Sequence, residues 1–119
     1  MPVANRPRVA RDANTGRVVA SDLEYATNPW TRFRGLMLRG TPPAGGGLLI
    51  RPCSSIHMLF MRFPIDAVFV DRGGVVTGVS RNVRPWWGLA FGGRGAHTVI
   101  EMRVGGAEGI EVAHQLEFS

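Results

Sequence analysis

The sequence predicts a mainly β, or α+β, fold: a compact, mostly antiparallel, barrel-like sheet with one or two short helices. Three observations lead there. Short runs of β-branched and aliphatic residues recur along the chain, separated by glycine, proline and asparagine. Gly73-Gly74 lies between two such runs and signals a hairpin, because a tight turn needs the positive φ that glycine reaches freely. Only one stretch carries a clear helical stripe, and many short strands with so little helix suit a barrel-like domain.

The elements follow in order. Residues 1–15 mix Pro, Asn, Asp and Arg without periodicity and are expected to form a mobile N-terminal segment, with one globular domain over 16–119. Val18, Val19, Leu23 and Tyr25 predict a strand over 16–25. Asn28-Pro29 then reads as a helix cap and first helical residue: the Asn side chain can accept from an orphan amide, and proline needs no donor there. Trp30, Phe33, Leu36 and Met37 fall at spacings of three and four, so a short helix is expected over 29–38. Residues 40–47, GTPPAGGG, form a loop by composition. Strands are predicted at 48–51, 55–62, 65–71 and 75–81, the last two joined at Asp71–Gly74. Residues 83–96 contain Pro85, Trp86, Trp87 and four glycines and read as a long irregular loop, a kind of segment that often carries function. A strand at 98–103, a short helix or turn near 105–110 and a strand at 111–118 complete the chain.

The 119 residues, 45% hydrophobic and 19% charged, suffice for one ordinary core. All 14 basic residues are arginine, giving a net charge of +5 that no deprotonation removes; without lysine, Schiff-base chemistry is excluded. No apolar run approaches the roughly 18 residues of a membrane span, and the first residues lack the apolar core of a secretory signal, so a cytoplasmic protein without membrane partners is expected. A lone Cys53 permits no intrachain disulfide and fits a reducing compartment. The glycine-rich pieces lack the Lys-Ser/Thr ending of a phosphate loop, which disfavours a nucleotide cofactor.

The stretch CSSIHMLFMRFPIDAVFVDRGGVV (53–76) resembles the signature of the uncharacterised family known as domain of unknown function 192. WTRFRGLMLR (30–39) is similar to that family's Arg-x-x-Gly-Leu-Met helix, and TVIEMRVGGAEGIEV (98–112) to its Leu-Glu-Leu-x-x-Gly closing segment. Two departures stand out: Ala113-His114 occupies the place of a usual Gly-Asp, and Val104-Gly105-Gly106 varies a small-residue pattern. The resemblance implies a compact, mostly antiparallel β fold with one or two short helices, and it brings no established activity with it.

Cys53, His57 and Asp66 are the candidate catalytic residues, since a thiol, an imidazole and a carboxyl group can serve as nucleophile, base and orienter. On a straight strand Cys53 and His57 would lie about 13 Å apart, so they meet only if the chain bends. The bland alternative makes Cys53 a small buried hydrophobe, His57 a half-buried side chain and Asp66 an acceptor for backbone amides. Cys53 and His57 with His97 or His114 lack the paired spacings of a zinc site, and no metal or other cofactor is expected. A strand over 55–62 would put Ser55, His57, Leu59 and Met61 on one face, which favours binding over catalysis.

The leading expectation is therefore a non-enzymatic domain that binds a small polar ligand or a protein through Ser55, His57, Asp66, Arg62, Trp86 and Trp87, with the 83–96 loop as its rim. One alternative is a thiol-dependent or other hydrolase centred on Cys53 and His57. Another is weak nucleic-acid binding, with Arg81, Arg84 and Arg94 neutralising phosphates while Trp86, Trp87 and Phe91 stack on bases.

Overall fold

The computed structural model describes residues 6–119. Its centre is a five-stranded sheet in the order β3-β4-β9-β6-β7, from β3 (Glu24–Ala26), β4 (Leu48–Ile50), β6 (Ile65–Val70), β7 (Val76–Val83) and β9 (Thr98–Arg103). A second sheet of three strands runs β10-β1-β2, from β1 (Ala10–Asp12), β2 (Val18–Ala20) and β10 (Leu116–Phe118). A ribbon pairs β5 (Ser55–His57) with β8 (Leu89–Phe91), and α1 (Pro29–Arg34) is the single helix among the described residues. The β-rich class is as expected, but none of the three sheets closes into a barrel. Pairing is antiparallel except between β3 and β4, where Tyr25 lies beside Leu49 in parallel.

Strands β6 and β9 are covered on both sides, which explains their near-continuous apolar sequences. Their side chains alternate between two cores. Val68, Val70, Ile100 and Met102 face the three-stranded sheet with Leu49 and Leu116. Ile65, Ala67, Phe69 and Val99 face the opposite way, onto Leu48, Ile50, Met58 and Met61. Each strand also carries one buried acid, Asp66 on the first face and Glu101 on the second.

Several elements differ from expectation for identifiable reasons. Ordered structure begins before residue 16: β1 lies between β10 and β2, with Ala10 and Asp12 fully buried, while residues 1–5 fall outside the described residues. The strand expected over 16–25 is broken at Ser21 and Asp22, whose amides both donate to the Gly45 carbonyl, so that β2 and β3 enter different sheets. The helix is capped by Asn28, which accepts from the Thr31 amide at 2.9 Å, but it ends at Gly35, at φ 47°. The strand expected over 55–62 stops at His57. The Met58 carbonyl then accepts from the Trp86 amide and the Phe60 carbonyl from the Leu38 amide, and Met58 and Met61 are both buried where strict alternation would separate them. The irregular 83–96 segment contains β8, three residues long between glycines. Residues 105–110 form turns, and the last strand begins only at Leu116.

Ala113 adopts φ 76°, a left-handed conformation, at the position where the resembled pattern carries glycine. Its amide still donates to the Val76 carbonyl at 2.8 Å, so the turn is kept at the expense of strain. Ala113→Gly is expected to raise the urea midpoint, by the equivalent of about 0.5–1 kcal/mol. An unchanged or lower midpoint would show that Ala113 carries no strain.

Candidate functional site

The two buried acids meet opposite fates. Asp66 Oδ1 accepts from the Asn82 amide at 2.9 Å, and Oδ2 accepts from the Gly105 and Ala107 amides at 3.0 and 3.1 Å. It ties β7 and the 105–110 turns to the sheet. Glu101 is 4% exposed, and its Oε1 has no hydrogen-bond partner. A buried polar atom without a partner costs free energy unless something else satisfies it.

Glu101 lines a cavity of about 600 Å³ between α1, the 50–57 segment and the central sheet. The walls include Arg32 and Phe33 from α1, and Cys53, Ser55 and His57 from β5 and the segment before it. Gly35 lets the end of the helix approach Glu101, since a Cβ there would lie 3.2 Å from Oε1. His57 is exposed; its Nδ1 accepts from the Leu59 amide at 3.3 Å, which leaves the Nε2–H free to donate. Its ring lies 6.3 Å from that of Phe33, which is 6.4 Å from Trp30, so an aromatic row extends along this edge. Arg32 Nε donates to the Pro52 carbonyl at 3.1 Å.

Burial raises the Glu101 pKa to about 7, opposed in part by Arg39. Arg39 is itself paired with Glu24, at 3.0 and 3.2 Å, and offers Glu101 no direct bond. The carboxyl group is therefore protonated at mildly acidic pH and ionised above neutrality, able to donate or to accept. Burial also pushes the Cys53 thiol up, as does the nearby Glu101, while the backbone N–H of Ser55 and the charge of Arg32 act in the other direction. The thiol donates to the Ser55 carbonyl at 3.1 Å.

Cys53, Ser55 and His57 thus line one cavity. Asp66 does not join them: it lies on the opposite face of the sheet, with both oxygens occupied by backbone amides. The expected nucleophile, base and orienter are not assembled, because alternation along β6 directs Asp66 away from the Ile65 and Ala67 side. Cys53 and His57 each bond to nearby backbone groups, not to each other. Arg62, Trp86 and Trp87 also lie outside the cavity. Arg62 is exposed. Trp86 packs edge-on against Phe60, with ring centroids 5.3 Å apart, and Trp87 is 89% exposed beside Arg81 and Arg84. Glu101 was missed in sequence: an acid in Thr-Val-Ile-Glu-Met-Arg looks outward-facing until the strand is known to be covered on both sides.

Among known proteins, the model of the domain of unknown function 192 family, described as an uncharacterised ACR, matches residues 10–118. A UPF0127 protein of Thermococcus sibiricus is 38% identical over 96 residues, 76% of this chain and 60% of that protein, so the match spans about three fifths of the relative's length. A crystal structure of a protein of unknown function from Novosphingobium aromaticivorans aligns with a TM-score of 0.79 at 22% identity, over 98% of this chain and 89% of that one. A second, from Sinorhizobium meliloti and provisionally described as a transcription regulator, gives 0.78 at 23% identity, over 92% and 90%. At these identities the two crystal structures show a common fold.

Proposed function

The chain belongs to the domain of unknown function 192 family, and on that footing we propose that it binds a small polar molecule in the cavity floored by Glu101. The observation that carries this is the Glu101 Oε1 atom, buried without a partner at the wall of a cavity large enough for a small molecule. A ligand hydroxyl or ammonium group would complete it. Ser55 and the His57 Nε2–H stand ready to bond further polar groups, while Phe33 offers an apolar face. A cytoplasmic setting suits the single unpaired Cys53.

The thiol-hydrolase alternative draws less support, since burial disfavours the Cys53 thiolate and the expected orienter lies across the sheet. Thermal-shift screening with hydroxylated and amine-bearing small molecules tests the binding role. A compound held at 100 times its Kd stabilises the fold by about 2.7 kcal/mol. Hits are expected to stabilise the wild type and to lose that effect in Glu101→Gln and His57→Ala. His57 is exposed, so His57→Ala should leave the ligand-free melting point almost unchanged. Hits that stabilise all three proteins equally would place the binding elsewhere.

A further inference from the structure

A second cavity, of about 360 Å³, lies at the turn between β6 and β7 and is lined by Tyr25, Arg51, Arg72, His97 and Thr98, with Asp71 as its one carboxyl group. Asp71 Oδ1 is taken up by its own turn, accepting from the Gly73 and Val75 amides at 2.9 and 3.0 Å. Neither Arg51 nor Arg72 forms an ion pair among the described residues, where the arginine pairs are Arg8–Asp22 and Arg39–Glu24. Local sequence supplies no other counter-charge, for no acidic residue occurs between Glu24 and Asp66 or between Asp71 and Glu101. The Arg51 guanidinium lies 5.6 Å from the centre of the Tyr25 ring, and Arg6 lies 5.0 Å from the same ring. The phenol thus holds Arg51 at the cavity, with Arg6 against the same ring but outside the cavity lining. His97 Nδ1 meets Thr98 Oγ1 at 3.0 Å, so the ring is oriented by its neighbour with Nε2 left over.

We propose that this cavity is a binding site for an oxyanion, a phosphate or carboxylate group, held by the guanidinium groups of Arg51 and Arg72 with His97 beside them. Planar guanidinium groups match the oxygens of such anions and stay charged at every physiological pH. The site is a separate cavity from that of Glu101, with His97 in the wall between them, so the arginine variants below assign the response to this side. Burial first, and then Arg72 and Arg51, hold His97 below its ordinary pKa. An anion between the arginines would cancel their repulsion and raise it. His97 therefore reports occupancy.

Sulfate, which stays fully charged from pH 5 to 8, is the first probe, titrated at constant ionic strength against chloride while the His97 ring is followed by nuclear magnetic resonance. Saturable binding with an upward shift of the His97 titration midpoint is expected. Arg51→Gln and Arg72→Gln should each weaken binding tenfold or more, and Arg94→Gln, in the exposed 93–95 stretch, should not. Inorganic phosphate and phosphatidylcholine vesicles containing phosphatidic acid separate a free anion from a lipid headgroup. Binding of either that is lost in both variants sustains the site and identifies its source. No saturable response of His97 to sulfate, phosphate or vesicles, or equal weakening in Arg94→Gln, overturns it.

Discussion

Asp66→Ala is expected to destabilise the fold by about 3–5 kcal/mol, enough to lower the melting temperature by roughly 10–20 °C. The change removes both acceptor oxygens and leaves the Asn82, Gly105 and Ala107 amides without their partner. The Ala107 bond is buried, and water cannot readily replace it. Asp66→Asn keeps the shape but retains only one acceptor oxygen, so at least one of the amides meets an NH₂ group; its cost should be smaller yet still clear. Urea denaturation monitored by circular dichroism gives both values. A loss below about 1 kcal/mol for Asp66→Ala would show that these bonds do not hold β7 and the 105–110 turns in place.

The second large effect is the pH dependence set by Glu101. Its carboxyl group has an ordinary pKa near 4.5 and is raised to about 7 in the fold. Between those values the folded state holds a proton that the unfolded chain has released, so stability falls as pH rises from 4.5 to 7 and levels off above. The contribution lost is roughly 3 kcal/mol. Asp12 works in the opposite sense. Burial alone would raise its pKa, but hydrogen bonds from His114 and the Asn14 amide, with the His114 charge, hold it below the ordinary carboxyl value. The stability it adds is present above pH 4 and is lost as pH falls through its lowered value. Urea midpoints from pH 3.5 to 8.5 should therefore decline on both sides of a mildly acidic optimum. Glu101→Gln should flatten the alkaline side and gain stability at pH 8. Wild-type and Glu101→Gln curves that run parallel would remove Glu101 as the cause.

Which parts of this architecture were legible in sequence depended on whether local and long-range forces agreed. Strands β6, β7 and β9 were found near their true bounds because β-branched runs met a Gly73-Gly74 turn. The start of α1 was readable because Asn28 and Pro29 act within one turn of each other. Strand β8 was hidden, because Leu89–Phe91 becomes a strand only by pairing with β5, more than thirty residues earlier in the chain. The turn after His57 depends in the same way on amides supplied by Leu38 and Trp86. Cys53, Ser55 and His57 stood out in the sequence as chemistry-bearing neighbours, but that they line one cavity depends on the bend of the 50–57 segment, which local pattern does not specify. Which acid would accompany them could not. Asp66 and Glu101 both interrupt apolar strands, and only the order of strands in the sheet decides which one faces backbone donors and which faces a cavity.

The pairing of β1 with β10 also bears on how the protein folds during synthesis. Ala10 lies opposite Phe118, and the Arg8 and Val9 amides donate to the Ser119 carbonyl, so the middle strand of the three-stranded sheet takes one of its neighbours from the far end of the chain. Strand β2 can pair with β1 as soon as both have left the ribosome. The other side of β1 must wait, an unpaired edge, until Leu116–Phe118 has been made. Contacts of such long sequence separation form slowly, and an edge left open meanwhile can capture another chain. The nascent protein is thus open to mispairing at β1, and the emergence of Leu116–Phe118 is the event that closes that edge.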